Sequence, residues 1–334
     1  MPLYARDPAS PTVSLGTRKP ASPCADRDQR AHCSVLMRLA AVTLGLLALT
    51  SARALAAEAI LIPNGSFELP STTFVTPAMD SWQRTAKPDW YDESGGFFWT
   101  NTTGEFANTL PSSPDHIDNC DGNQAAWMFV IPEVGIFQDY NNPASHAFDA
   151  VYEVGKSYRL TVGIIGTGGS MLPGTTMELA LYYRDAASNM VVVAAISVTN
   201  SPNIFSNKTH FIDFSTDSGF VRNSYPCAGQ HIGVRLLSSI TDTNMEGGYW
   251  DLDNVRLTAT RMPTLGNPVW TNGQFSFAIQ SDTGMRFDVQ KSSSIDNEPA
   301  WSSLFVVTNV AGAISITDTN ATAGQSYYRV QLVP

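Results

Sequence analysis

Strict two-residue alternation of apolar side chains is the feature that most constrains the fold of this chain. Residues 158–164, 177–183 and 232–236 each carry an apolar side chain at every second position. This period indicates strands with one buried face, and the Gly-, Asn-, Ser-, Asp- and Pro-rich clusters between them are typical of turns. Helical periodicity is nearly absent after residue 57. The pattern predicts an all-β fold in which two sheets bury their inner faces against each other.

Residues 37–56 have the composition of a secretory signal peptide. Arg38 is followed by an apolar run over residues 39–49 and by Ala54-Leu55-Ala56, a small-x-small cleavage site. The run is too short to cross a bilayer. We therefore expect a secreted protein, extracellular or periplasmic in a bacterium. Residues 1–36 are expected to be a disordered or spurious extension, and no further apolar run predicts a membrane span in the mature chain.

The charge of the chain argues against polyanionic partners. The formal net charge is −10, with 30 acidic and 20 basic residues. Removal of the leader makes this balance more negative, because the leader carries mainly basic residues. Such a surface repels phosphate backbones and anionic membranes, so nucleic acid is not an expected partner.

Two segments bracket the region of alternating strands. Residues 61–70 (LIPNGSFELP) precede it and residues 247–257 (GGYWDLDNVRL) close it. Both resemble the first and last strands of galactose-binding-like jelly-roll modules, a fold shared by many carbohydrate-binding modules. The resemblance covers residues 57–260 and implies that the two segments are neighbouring strands. It also implies a structural calcium ion held by Glu68 and Asp253 with backbone carbonyls, because calcium prefers hard oxygen ligands. The alternative is that both acids face solvent or cap turns.

The closing strand interrupts its own alternation. Trp250 and Leu252 share one face, whereas Val255 and Leu257 would fall on the other. One extra residue near Asp253 and Asn254 would return all four apolar side chains to a single face. We therefore predict a β-bulge at this point.

A second, smaller domain is predicted after residues 261–268, which have the composition of a linker. Strand signals resume at residues 275–279, 285–289, 303–307 and 328–332. Residues 269–334 resemble the small fibronectin-like sandwich at the C-terminus of many secreted bacterial proteins. The expected architecture is thus a jelly-roll β-sandwich followed by a small C-terminal β-sandwich.

Two cysteines remain after the leader, Cys120 and Cys227. Both lie in polar, turn-rich stretches, and export to an oxidising compartment favours a disulfide between them. The alternative is a pair of free, buried thiols.

An aromatic cluster between residues 82 and 99 is the predicted ligand site. Aromatic rings offer flat apolar platforms for sugar faces, and neighbouring acids can bind hydroxyl groups. The candidates are Tyr91, Trp99, Trp90 and Asp92, with Tyr91 and Trp99 expected to be the more exposed rings. The alternative is that these rings belong to the core.

The sequence offers no recognisable catalytic motif. It lacks a Gly-x-Ser-x-Gly elbow, a His-Glu-x-x-His motif and a His/Cys cluster. We therefore expect a non-catalytic carbohydrate-binding or cell-surface adhesion protein whose partner is an extracellular polysaccharide or glycan. The alternatives are a structural extracellular or envelope protein that binds a protein partner, and a polysaccharide hydrolase or lyase.

Overall fold

The computed structural model describes residues 57–141, 148–241, 246–294, 300–321 and 325–333, together with the backbone of Leu15–Gly16. The chain divides into two compact units. One is Ala57–Met262, and the other combines Pro263–Pro334 with Met1–Ala56. The predicted leader, residues 37–56, lies outside the described residues, as do residues 1–36 apart from Leu15–Gly16. Among the described residues, no helix has the length and apolar character needed to span a membrane.

The unit Ala57–Met262 consists almost entirely of antiparallel strands. A three-residue 3-10 helix, Trp99–Asn101, lies between the third and fourth of these strands. Because Leu15–Gly16 takes the label β1, the strands are β2 (Glu58–Ile60), β3 (Val75–Thr76), β4 (Gln83–Arg84), β5 (Thr103–Ala107), β6 (Gln124–Phe129), β7 (Gly135–Gln138), β8 (Lys156–Gly168), β9 (Thr176–Arg184), β10 (Met190–Thr199), β11 (Ile212–Phe220), β12 (Gly233–Ser238) and β13 (Tyr249–Arg261).

These strands form two sheets. A five-stranded sheet has the order β10-β9-β12-β7-β4, and a seven-stranded sheet has the order β11-β8-β13-β6-β5-β3 with β2 paired to β13. One apolar core lies between them and takes side chains from both, including Leu179 and Val234 from the first sheet and Leu160 and Trp250 from the second. The predicted all-β sandwich is therefore confirmed.

The first and last strands of this unit are neighbours. Ile60 of β2 pairs with Leu257 of β13, and the backbone N–H of Val255 donates to the carbonyl of Gly65 over 2.7 Å. The register of β13 against β8 shifts between Asp253 and Arg256, and Asn254 has a φ of 51°. The shift is the predicted bulge, because apolar side chains on both sides of it, from Trp250 to Ala259, lie in the same core.

The unit that contains Pro263–Pro334 has its own core between two small sheets. Its strands are β14 (Thr264–Thr271), β15 (Gln274–Gln280), β16 (Arg286–Ser292), β17 (Ser302–Thr308), β18 (Ala313–Asp318) and β19 (Tyr327–Val333). The sheets have the orders β14-β15-β18 and β1-β19-β16-β17, and Phe277, Phe287 and Tyr328 are fully buried between them. The fibronectin-like assignment of this unit stays a prediction.

The predicted linker at residues 261–268 is mostly strand. β13 continues to Arg261, and β14 begins at Thr264. The prolines and Gly266 suggested a loop, but β14 pairs with β15 through a register shift between Gly266 and Val269 that accommodates Pro268. Only Met262 and Pro263 connect the two strands.

Candidate active site

The outer face of the seven-stranded sheet carries an unusual acid. Alternation along β13 sends Trp250 and Leu252 into the core, so Tyr249 and Asp251 point to the opposite face. In the ladder, Asp251 lies opposite Trp127 of β6 on one side and Ile165 of β8 on the other. Directly opposed side chains on one face of a sheet are in contact distance. The carboxyl group therefore lies on an apolar floor.

An aromatic row runs beside this acid. The ring centroids of Trp127 and Phe129 are 4.9 Å apart, and those of Phe129 and Phe97 are 5.6 Å apart. Phe129 also meets Tyr249 edge to face, with centroids separated by 6.4 Å. These rings form a continuous aromatic surface on the outer face of the sheet, which we call the outer-face groove and define by Trp127, Phe129, Tyr249, Phe97 and Asp251.

Two glycines oppose rings of the row across the sheet. Gly104 is the ladder partner of Trp127, and Gly168 is that of Tyr249. A Cβ atom at Gly104 would lie 2.7 Å from Cζ2 of Trp127, and one at Gly168 would lie 2.6 Å from Cδ2 of Tyr249. The rings therefore occupy space that a side chain on the partner strand would need. Both rings lie across neighbouring strands and line the groove.

The surroundings of Asp251 favour its neutral form. Burial among apolar side chains raises the pKa of Asp251 to about 8, since a low-dielectric environment penalises the charged carboxylate. No described residue forms a hydrogen bond or an ion pair with this carboxyl group. At neutral pH the side chain is therefore a carboxylic acid with a transferable proton, flanked by aromatic faces that can stabilise positive charge.

Asp253 lies on the same face as Asp251 but is fully buried. It accepts hydrogen bonds of 2.6 Å from the backbone N–H groups of Asp121 and Asn254. Burial raises the pKa of Asp253 to about 7 despite these donors. The side chain is thus held beneath the turn that contains Asp121 and is not open to a substrate.

The predicted metal ligands Glu68 and Asp253 reach the same turn, residues 119–124. Glu68 accepts hydrogen bonds of 2.7 Å from the backbone N–H groups of Asn123 and Gln124, and its carboxylate lies against Gly122. The two acids supply hard oxygens of the kind that calcium prefers. Among the described residues, no cluster of three or more His, Cys, Asp or Glu side chains could hold a metal ion. Backbone carbonyls would have to complete a coordination shell.

The predicted ligand residues of the aromatic cluster do not form an open platform. Trp99 is only 5% exposed, and its indole N–H donates to the carbonyl of Thr85 over 2.7 Å. Tyr91 is half-buried and packs edge to face on Trp99 at 4.9 Å. Trp90 is 48% exposed and donates to Glu133, while Asp92 caps the backbone of Ser94. The expectation of an exposed Trp99 was wrong, because the 3-10 helix turns this ring into the core.

The predicted disulfide is absent from the structure. Cys120 and Cys227 are both free. Cys227 packs in the core of the sandwich, whereas the thiol of Cys120 donates to the carbonyl of Gln124 over 3.1 Å. Turn-rich composition around each cysteine did not indicate that the two positions belong to different parts of the sandwich.

The comparisons with known proteins identify the class of this unit. The family model described as HpiC1-like, HpiC1 cyclase, matches residues 58–258, which is more than half of the chain. The chain belongs to the HpiC1-like cyclase family. A search of curated proteins found no match.

Several solved structures are similar to the chain. A cyclase from Fischerella sp. TAU is 24% identical, and the match covers 63% of this chain and 100% of that one with a TM-score of 0.45. A cyclase from Fischerella sp. TAU solved in complex with 4-(1H-indol-3-yl)butan-2-one is 25% identical over 62% of this chain and 99% of that one, with a TM-score of 0.45. The xylan-binding CBM22-1 domain from Paenibacillus barcinonensis is 12% identical over 62% of this chain and 97% of that one, with a TM-score of 0.34. The family assignment rests on the sequence match and not on these scores.

The family corrects two expectations from the sequence. The prediction of a non-catalytic carbohydrate-binding or adhesion protein is wrong, and so is the prediction that the chain is not an enzyme. Sequence reasoning missed Asp251 because no local motif surrounds it. The available signal was positional. Asp251 lies between two core residues of β13, and Trp127 and Phe129 alternate with core residues in β6. Alternation therefore places all three side chains on the same face of the sheet.

Proposed function

We propose that the unit Ala57–Met262 is an acid-initiated cyclase that acts on a small, apolar, unsaturated molecule. The observation that carries the proposal is the position of Asp251, a carboxyl group with a raised pKa that lies beside aromatic rings on the outer face of the sheet. Membership in a cyclase family supplies the reaction type, ring closure.

The proposed reaction begins with proton transfer from Asp251. The carboxyl O–H bond breaks, and a C–H bond forms at one carbon of a substrate double bond. The other carbon becomes cationic, and a second π bond of the same molecule attacks it to form the new ring C–C bond. Loss of a proton from the cyclised cation to the Asp251 carboxylate restores the acid. The product is an isomer of the substrate, and no other reactant is consumed.

The aromatic row would stabilise the positive charge that develops during ring closure. The faces of Trp127, Phe129 and Tyr249 carry negative quadrupole density, and cations over such faces are stabilised by about 0.5–2 kcal/mol per ring. The same rings exclude water, which would otherwise add to the cation. A neutral, apolar substrate fits this surface better than a glycan does, because the groove offers rings and a neutral acid but no array of exposed hydrogen-bonding side chains among the described residues.

The test is ring closure in deuterated water. Aryl alkenes whose side-chain double bond can reach the ring are incubated with the protein in D2O, and products are analysed by mass spectrometry. We expect cyclised isomers one mass unit heavier than the substrate, because the carbon-bound proton comes from solvent-exchanged Asp251. The D251N variant should form less than about 1% of this product, since general acid catalysis contributes factors of 10²–10⁴.

The matched control is D92N, which makes the same change at an exposed acid outside the groove. It should cyclise at the rate of the unaltered protein. Cyclisation by D251N at an undiminished rate, or products without deuterium from both proteins, would contradict the proposal.

We also propose a structural calcium ion between Glu68 and Asp253. Support comes from the convergence of both acids on residues 119–124, where burial and then the charges of Asp253, Glu68 and Asp121 raise the pKa of the Cys120 thiol. A cation would offset this concentration of negative charge.

Export from the cytoplasm likewise stays a proposal that rests on the sequence of residues 37–56. The glycan partner stays a prediction that the groove does not support.

A further inference from the structure

Two glycine segments meet at the end of β8 and the start of β13. Gly168 ends β8 and Gly169 follows it, while Gly247 and Gly248 precede Tyr249. The φ angles of Gly169 and Gly248 are 58° and 79°, in the left-handed region that favours glycine. A Cβ atom at Gly248 would lie 2.5 Å from the backbone nitrogen of Met171. Side chains are therefore excluded from this junction, and the ring of Tyr249 lies against it.

The junction fixes Tyr249 in one position. Its ring rests on Gly168, where a Cβ atom would lie 2.6 Å from both Cδ2 and Cε2. Gly169 approaches the opposite edge of the ring, where a Cβ atom would lie 3.4 Å from Cε1. Phe129 holds the ring from the side in edge-to-face contact. A tyrosine whose ring is held in this way loses little further conformational entropy when a ligand binds.

The phenol hydrogen of Tyr249 has no acceptor among the described residues. The hydroxyl group can therefore donate one hydrogen bond to a ligand. Burial raises the pKa of Tyr249 above its usual range, so the phenol keeps its proton at neutral pH. Tyr249 and Asp251 are two residues apart on the same face of β13, and their side chains are therefore about 7 Å apart in the groove.

We propose that Tyr249 is a substrate-orienting residue, which donates its phenol hydrogen to an uncharged acceptor atom on the substrate and so places the double bond at Asp251. The inference rests on the proposed function and adds a substrate class. The substrate is a flat, unsaturated, neutral molecule with a hydrogen-bond acceptor, such as a carbonyl or ether oxygen, near one end. Purely hydrocarbon substrates would bind without a fixed orientation.

The test compares two probes that differ in a single acceptor. 2-Acetylnaphthalene carries a carbonyl oxygen, and 2-ethylnaphthalene has nearly the same shape without it. Dissociation constants are measured by calorimetry for the unaltered protein, Y249F and the control Y225F, which removes a phenol hydroxyl from a surface turn. We expect the unaltered protein and Y225F to prefer the ketone about 5- to 10-fold, as one neutral hydrogen bond provides. Y249F should bind both probes equally, with an unchanged affinity for 2-ethylnaphthalene.

The same titrations with D251N separate this inference from the proposed function. D251N should keep the preference for the ketone, because binding requires no proton transfer. If D251N still cyclises substrates but Y249F has lost the ketone preference, the acid mechanism fails and the role of Tyr249 stands. A ketone preference that survives in Y249F, or the absence of any preference or binding in the unaltered protein, overturns the role of Tyr249. Thermal unfolding of Y249F near the temperature of the unaltered protein confirms that the groove is intact.

Discussion

Two acids two residues apart on β13 lie in different environments because their neighbours differ. Asp253 is covered by the turn of residues 119–124 and is bonded to two backbone N–H groups. Asp251 has no such donors, and its pKa is raised by burial alone. The first arrangement suits a structural acid or a metal ligand. The second leaves a proton free for transfer, which is the property that acid catalysis requires.

The aromatic residues also separate by local geometry. Trp99 and Tyr91 are held by hydrogen bonds to the carbonyls of Thr85 and Phe97, so their polar atoms are used inside the fold. Trp127 and Phe129 have no aromatic-rich sequence around them, yet they form the groove. Density of rings along the sequence was therefore a poor guide to the site.

Strand β13 determines most of the architecture of the larger unit. It pairs with β8 along one edge and with β6 and β2 along the other. The bulge lets one strand keep apolar side chains in the core over its whole length while Tyr249, Asp251 and Asp253 share the outer face. The position of Asp251 thus follows from the ladder as much as from its own residue type.

Much of this element-level structure was predictable from sequence. Alternation located β8, β9 and β12, and the break in alternation located the bulge. The groove was not predictable, because its residues come from β6, β13 and the loop that carries Phe97, and only the sheet order brings them together. The strand β14 was missed because its proline and glycine are typical of loops, whereas edge strands tolerate them.

The bulge itself can be tested at Asn254, whose φ of 51° is unfavourable for most side chains. Asn254→Val should destabilise the unit by about 1–2 kcal/mol, because a β-branched residue is strained in the left-handed region. Asn254→Gly should leave stability nearly unchanged, since glycine adopts this conformation without strain. Urea unfolding measures both. Equal stabilities for the two variants would show that the bulge does not impose this conformation.

At the scale of the whole molecule, the chain consists of two units with separate cores. A ligand that binds only the native form of one unit raises the stability of that unit alone. The predicted calcium site belongs to the unit Ala57–Met262, because both Glu68 and Asp253 lie in it. Calcium should therefore affect only one of two unfolding transitions.

Calorimetry of the full chain with EGTA and with 1 mM calcium tests this expectation. Chelation should lower the unfolding temperature of the larger unit by several degrees, and calcium should restore it. The smaller unit should unfold at the same temperature in both conditions. E68Q should unfold at the chelated temperature regardless of calcium, whereas E153Q, an exposed control, should respond like the unaltered protein. A larger unit that is insensitive to EGTA would exclude a tight structural site.

The most direct test of Asp251 as the proton donor is its titration in the intact protein. Carboxyl carbon NMR of protein labelled at aspartate, recorded with and without the D251N change, assigns its resonance. We expect a pKa near 8, so that activity is constant at lower pH and falls as the acid ionises above pH 8. The pKa of Asp251 is higher in the folded protein than in the unfolded protein, so the contribution of this group to the free energy of unfolding is lost as pH rises from about 4 to 8. The D251N variant should not show this loss. An Asp251 resonance that titrates below pH 5 would contradict a protonated acid in the groove and, with it, the proposed mechanism.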